Sequence, residues 1–307
     1  MGLGTRVVIA HRRTELDELL WRHGTRGQAA FFLASRNRTI EEVVARHDAV
    51  VSALAAVSAA IPADWRRGTV EREDLPRFGF EAEDMVVAVG QDGLVANVAK
   101  YLTDQLVIGI NPEPDRNPGV LVPHPPGLAA ELLRGAADPA RADDLVERRS
   151  MVRVTADDGQ ELTALNEIYL GQPTHQTARY TLTLPSGPSE AQASSGLIIS
   201  TGSGATGWCR STWLERKSTL TLPRGSEQRL VWFVREAWPS PASGTAYTEG
   251  ELDGEDELVV SAESDQLVVF GDGIEADTIA VSCGQTVRVG LASRTLRMIG
   301  ASQISSL

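Results

Sequence analysis

Apolar positions fall into two regimes along the chain, long runs and helical stripes in the first third and short strands after it. Arg6 to Ala10 reads as a first strand, and Thr14 to Asn37 as helical or irregular. Thr39-Ile40-Glu41-Glu42 has the form of a capping box. The helix it opens should run to Ile61, where Pro62 stops it, with Val43, Val50, Val51, Leu54, Val57 and Ile61 as its buried stripe. Asp64 to Glu83 is a charged connection with room for one short strand. Met85 to Val89 is apolar at five consecutive positions, which leaves no polar face for water and predicts a buried parallel strand. After a break at Gly90-Gln91-Asp92-Gly93, apolar residues recur at helical spacing (Leu94, Val95, Val98, Ala99, Leu102), and Leu106 to Ile110 supplies the next strand. This alternation predicts a doubly wound α/β domain.

The regime changes at Asn111 to Gly119, where Pro112, Pro114, Pro118 and Gly119 mark a turn or a domain crossing. Beyond a short helix at Gly127 to Leu133, the pattern predicts strands at Met151 to Ala156, Glu161 to Leu165, Arg179 to Leu184 and Gly196 to Ser200. Leu230 to Val234, Glu257 to Ser261, Gln266 to Phe270, Thr278 to Ser282 and Thr286 to Leu291 continue the series. Asp158-Gly159 suits a hairpin turn between the first two. The acidic run Glu249 to Glu257 lacks the spacing of an EF-hand and reads as a solvated loop. The expected fold is an α/β N-terminal domain, residues 1–115, followed by a β-rich domain, residues 116–292, built as a sandwich or two packed sheets.

Three stretches carry candidate chemistry. The turn at Gly90 to Gly93 puts free backbone N–H groups and the positive end of a helix at the carboxyl edge of a sheet, where α/β proteins hold phosphates. An acid there would repel an anion, so Asp92 is either a base for a hydroxyl, a ligand to a metal that accompanies the phosphate, or the cap of the helix. Asn166-Glu167 places an amide and a carboxyl side by side, able to grip hydroxyls and nitrogens of a nucleoside. Ser194 to Trp208 runs from an apolar strand into a turn dense in Gly, Ser and Thr and then an apparent helix from Thr206 to Leu214, which allows close approach to a nucleotide.

Composition narrows the classes. With 307 residues the chain is long for one core, and 42% hydrophobic with 23% charged residues describes an ordinary globular protein. A formal charge of −12 argues against a general nucleic-acid binder. The only lysines, Lys100 and Lys217, do not sit in a Walker A loop. Cys209 and Cys283 are too few for a disulfide framework and fit a reducing, cytoplasmic setting. The scattered histidines form no zinc motif. Ala49 to Ile61 is too short for a membrane span, and an early strand followed by Glu15, Asp17 and Glu18 argues against a signal or transit peptide.

In their order, the three motifs resemble those of the NAD kinase family. Gly90-Gln91-Asp92-Gly93 is similar to its Gly-Gly-Asp-Gly turn, Asn166-Glu167 to its Asn-Glu pair, and Thr201 to Trp208 to its Gly/Thr/Ser-rich turn. The segment Val107 to Gly119 and Ser194-Ser195-Gly196 are most similar to the mitochondrial-type members. This chain departs from the family at Gln91, where the pattern has Gly, and at Leu94, where it has Thr. The resemblance implies an NAD kinase-like two-domain fold in which a tail from about Ser293 to residue 307 joins the first domain, a dinucleotide between the domains, and a homo-oligomer such as a dimer. It also implies transfer of the ATP γ-phosphate to the adenosine 2′-hydroxyl of NAD, with Mg2+ offsetting the triphosphate charge. Asp92 would orient or deprotonate the hydroxyl, Gly90 and Gly93 would admit phosphates, Asn166 and Glu167 would hold the nucleoside, and Thr201, Ser203 and Thr206 would line the adenine and ribose. The alternatives are a dinucleotide-binding sensor or scaffold without kinase activity, and a related kinase with a sugar or lipid acceptor.

Overall fold

The structure is a computed structural model that describes residues 5–138, 141–274 and 277–300. It divides into two compact units, Met1–Glu147 with Arg297–Leu307, and Arg148–Leu296.

In the first unit, β1 (Arg6–His11) leads into three helices, α1 (Glu15–His23), α2 (Arg26–Ala34) and α3 (Ile40–Ala60). Then come β2 (Arg66–Glu71), β3 (Asp84–Val89), α4 (Asp92–Ala99), β4 (Leu106–Ile110), α5 (Ala129–Ala137), the single turn α6 (Ala142–Leu145) and β5 (Val146–Arg149). The strands β2, β1, β3 and β4 lie side by side in that order, all parallel. Every residue of β3 and β4 is buried, as their uninterrupted apolar runs require of strands covered on both faces. α4 is buried along Leu94 to Ala99 instead of on one stripe.

Each of the first three helices opens on a threonine, Thr14, Thr25 or Thr39, whose hydroxyl accepts an N–H from the first turn. The full reciprocal box forms at Thr14 with Asp17, and Thr39 receives only the Glu42 N–H at 3.4 Å. The buried stripe of α3 is Ile40, Val43, Ala53 and Val57, while Val51, expected inside, is 48% exposed. Adjacent helical residues point about 100° apart, so Val50 and Val51 cannot share a narrow contact. Starting at Ile40, α3 is long and apolar enough to cross a membrane by length and composition, which the shorter stretch 49–61 was not. Its inner residues Ala53 and Val57 pack on the strands of this unit.

The second unit is a sandwich. Its strands are β6 (Val152–Ala156), β7 (Glu161–Ala164), β8 (Glu167–Gly171), β9 (Ala178–Thr183), β10 (Ser189–Ser194), β11 (Leu197–Ser200), β12 (Arg229–Val234), β13 (Glu249–Asp253), β14 (Glu257–Ala262), β15 (Leu267–Gly271), β16 (Thr278–Val281) and β17 (Thr286–Leu291). One helix, α7 (Trp208–Arg216), interrupts them. One sheet runs β10-β9-β14-β17-β6-β7 and the other β13-β12-β11-β8-β15-β16. Alternate residues of both, such as Val154, Tyr180, Ile168, Leu170, Ile199 and Val269, make one continuous core. The acidic run at Glu249 is not wholly a loop, because Glu249–Asp253 pairs with β12 as an edge strand.

The chain then returns to the first unit as β18 (Leu296–Ile299), which pairs parallel with β4 and stands between it and β5. Residues 301–307 of the expected tail lie outside the described residues. The proline-rich stretch after β4 falls inside the first unit, which continues to Glu147.

An ion pair ties the start of β1 to β3. The Arg6 guanidinium donates to both carboxylate oxygens of Asp84 at 2.7 and 2.6 Å, and the Asp84 side chain is fully buried. Asp84→Ala should therefore cost about 1–3 kcal/mol in urea unfolding, because it removes the buried acceptor of the Glu81 N–H and leaves Arg6 only its contacts to Glu81 at 3.2 Å and to the Gly79 carbonyl.

Candidate functional site

Asp92 does not cap α4. Gln91 holds the cap position without a side-chain bond, and Asp92 is the first helical residue. Its carboxylate turns away from the helix to three backbone N–H groups, accepting from Val120 at 3.0 Å on Oδ2 and from Leu121 and Val122 at 2.8 and 3.1 Å on Oδ1. A carboxylate offers about four acceptor positions, so one on Oδ2 stays open.

The held segment runs along β4. The Asn111 N–H donates to the His124 carbonyl at 2.8 Å, and Ile110 and His124 form a parallel bridge. Gly109 is required here, since a Cβ would overlap the Leu121 carbonyl. Gly119 has φ +65°, which favours glycine, and a Cβ there would press on Val122. The Asn111 side chain pins the proline-rich loop, donating to the Asn117 carbonyl and accepting from the Glu113 N–H.

The two glycines beside Asp92 differ. The Gly90 N–H is already bonded to the Ile110 carbonyl at 3.0 Å and is not free for a phosphate. Gly93 faces open space, and no side chain caps the first N–H groups of α4. Next to this turn, in the same unit, lies a cavity of about 320 Å³ whose walls include Arg12, Arg13, Arg46, Gly90, Gln91 and Glu113. Arg13 pairs with Glu71 at 2.9 Å, and Arg46 with Glu15 and Glu113 at 3.5 Å each. Arg12 is exposed and has no ion pair among the described residues.

In the second unit, Glu167 opens β8 with Asn166 just before it. Glu167 lies opposite Ser200 in the pairing of β8 with β11. The backbone of the pair is fixed from two sides. Asp272, in the turn after β15, accepts the Leu165 and Asn166 N–H groups at 2.9 and 2.7 Å and donates its own N–H to the Glu167 carbonyl at 3.1 Å. From the other side Thr201 donates its N–H to the Asn166 carbonyl at 2.9 Å. Burial, with the Asp272 charge beside it, pushes the Glu167 carboxyl up to about 7. In the window from about 4.5 to 7 the folded protein keeps a proton there that the unfolded chain has released, so stability from this site falls as pH rises through it.

The Gly/Ser/Thr turn separates its hydroxyls by role. Thr201 is fully buried; its Oγ1 donates to the Leu165 carbonyl at 2.6 Å and accepts from the N–H groups of Ser203 and Gly204. Such a hydroxyl is committed to the turn. Thr206 is exposed and donates to the Ser203 carbonyl at 2.9 Å. Ser203 is 3% exposed, and its hydroxyl has no partner among the described residues. That orphan is the polar atom of this turn that a ligand or water would satisfy.

Sequence reading missed Asp272 and an aromatic floor. Tyr169 shares the outer face of β8 with Glu167, two residues on. It stacks on Trp208 with ring centres 5.8 Å apart and tilts on Phe270 at 5.0 Å, while Arg235 lies 5.2 Å over the Trp208 ring. α7 covers Val231 and Phe233 on that face, but Tyr169 and Phe270 line an open cleft of about 600 Å³ rimmed by Gln172, His175 and Gln176. The alternation of Glu167, Tyr169 and Gly171 was the available signal.

The fold is of one class, a parallel α/β unit with a β-sandwich unit. It is NAD kinase-like: the crystal structure of an NAD kinase from Archaeoglobus fulgidus in complex with ATP matches with a TM-score of 0.58 at 16% identity, covering 98% of this chain and 96% of that one. In sequence, no family model and no curated protein matches the chain.

A Cβ on Gly204 would overlap the Asn166 carbonyl and the Ser200 hydroxyl. Gly204→Ala should therefore destabilise the protein by about 1–3 kcal/mol in urea unfolding and speed hydrogen exchange at Asn166. Gly93→Ala, where the added methyl meets open space, should leave stability equal or slightly higher.

Proposed function

We propose that the chain is a kinase that transfers the ATP γ-phosphate to the adenosine 2′-hydroxyl of NAD, giving NADP and ADP. The observation that carries this reading is the Asp92 carboxylate, locked by three backbone N–H groups beside an open helix N-terminus, with one acceptor position left. One open acceptor position suits a single hydroxyl. The 2′-oxygen attacks the γ-phosphorus, the bond from that phosphorus to the β,γ-bridging oxygen breaks, and the proton of the hydroxyl passes to Asp92.

Asn166 and Glu167 hold the nucleoside, Ser203 supplies the unpartnered hydroxyl, and the floor of Tyr169 and Phe270 accepts a planar ring. Arg12, unpaired in its cavity, suits the triphosphate. Among the described residues no three His, Cys, Asp or Glu side chains cluster as a metal cage. Magnesium ordinarily takes one or two carboxylates and leaves the rest of its shell to phosphates and water. Glu18, which lines the same cavity and has no ion pair among the described residues, is an oxygen donor of that kind and would hold it; the ion would supply neutralisation of the triphosphate. A dimer, and descent from the mitochondrial-type branch suggested by Ser194-Ser195-Gly196, belong to the same proposal.

One observation favours a second reading, a dinucleotide sensor without transfer. Three of the four acceptor positions of Asp92 are taken by its own backbone, and Gln91 stands where the phosphate turn of the family has glycine. NADP formation from ATP, magnesium and NAD, measured beside NAD binding, decides between them: binding without turnover supports the sensor, and neither sinks both.

Asp92→Asn should lower turnover by about 10²- to 10⁴-fold with the NAD dissociation constant unchanged, because the amide keeps size and one oxygen but cannot take the proton. Hydrogen exchange at Val120 to Val122 should be read in the same variant, so that a released loop is not mistaken for a lost base. Gln91→Gly should raise turnover or leave it equal. Leu94 is 2% exposed, so it belongs to the core and is a poor site for restoring a hydroxyl.

A further inference from the structure

We propose that Asp272 is a positioning residue, which holds the Asn166–Glu167 pair at the head of β8 and sets its negative charge against that pair. The proposal rests on the reading of that pair as the nucleoside grip and adds to it a residue outside all three sequence motifs.

Three hydrogen bonds make the attachment. The two Asp272 oxygens each take one N–H, from Leu165 at 2.9 Å and Asn166 at 2.7 Å, and the Asp272 N–H returns to the Glu167 carbonyl at 3.1 Å. These bonds come where β7 has ended and β8 has not begun, so the N–H groups of Leu165 and Asn166 have no strand to pair with. Asp272 reaches them from a left-handed backbone conformation, φ +55°, that Asp and Asn tolerate better than most side chains. A residue placed there for the turn alone has no need of a carboxylate aimed across to β8.

The second consequence is electrostatic. The titratable groups facing Glu167 are Asp272 from the β15–β16 turn and the Cys209 thiol from α7. Burial raises the thiol to about 11, so it is neutral across the physiological range and Asp272 is the charge that Glu167 feels. Two acids side by side in a half-buried site do not ionise independently. A protonated Glu167 donates one hydrogen bond, whereas the carboxylate accepts from two neighbouring ribose hydroxyls. Burial raises the midpoint of this change first and the Asp272 charge adds to it, so that it falls near neutral pH, and ligand affinity should rise as the carboxylate forms.

The test uses the full chain with ¹³C-labelled glutamate carboxyls, titrated by NMR without ligand, the Glu167 signal being assigned by its absence in Glu167→Gln. In the wild type its midpoint should lie near 7. Asp272→Asn, which fits the same backbone conformation, should lower the midpoint by about half a pH unit or more. Asp272→Glu keeps the charge and should keep the midpoint raised while speeding amide exchange at Leu165 and Asn166. In the same variants, the pH at which NAD affinity rises should follow the NMR midpoint.

A merely structural Asp272 would give lower melting temperatures in both variants with the midpoint unmoved, and that result overturns the proposal. If no nucleotide binds the wild type at any pH, the proposed function fails, yet the ligand-free titration still decides whether Asp272 controls Glu167.

Discussion

Backbone N–H groups that leave a sheet must find an acceptor, and in this protein side-chain oxygens supply it at each turn that carries candidate chemistry. Asp92 takes Val120 to Val122, Asp272 takes Leu165 and Asn166, and the Thr201 hydroxyl takes Ser203 and Gly204. Each of these bonds joins segments far apart in sequence or closes a turn too tight for a ladder. A carboxylate used this way keeps a fixed direction before any ligand arrives, which is the preorganisation that taking a proton from an oriented hydroxyl demands. The arrangement also couples tasks: a change that removes the acid removes the anchor of a loop.

The elements readable from the sequence were those whose environment is uniform along their length. β3 and β4 are buried on both faces, and their unbroken apolar runs announce it. The sandwich strands β6, β9, β14 and β17 alternate cleanly because one face meets the core. What escaped was set by tertiary context. β10 (Ser189–Ser194) carries Ser, Glu and Gln and is recognisable only by its partner β9. β13 is acidic and Gly-containing, and becomes a strand because β12 offers it an edge. β8 is masked by its own Asn-Glu pair, since polar residues at a strand's head look like its end.

The site was legible to the level of motifs and not of individual roles. Of the three hydroxyl residues picked in the Gly-rich turn, the alike-looking Thr201 and Ser203 do opposite things, one consumed by the backbone and one left without a partner. No spacing rule separates them, because the difference lies in which neighbour, the Leu165 carbonyl or nothing, stands opposite. Gly90 and Gly93 were likewise equivalent in sequence, yet one N–H is spent on the β4 end and the other stands at an open helix terminus. Asp272 lies more than a hundred residues from the pair it holds, and only the pairing of β15 with β8 brings it there.

Net charge shows the same limit from the other direction. At −12 the chain would be expected to repel a triphosphate, yet charge acts over about a Debye length, and the turn beside Asp92 is bordered by Arg12, Arg13 and Arg46. Two of these arginines already have carboxylate partners, Arg13 in Glu71 and Arg46 in Glu15 and Glu113. Arg12 is left exposed and unpaired among the described residues. A cavity built from three free arginines would bind any anion well and hold each of them flexibly. On the proposed kinase reading, two paired cations and one available cation would attract a polyphosphate more weakly but orient it more narrowly, and phosphoryl transfer depends on alignment more than on tight ground-state binding.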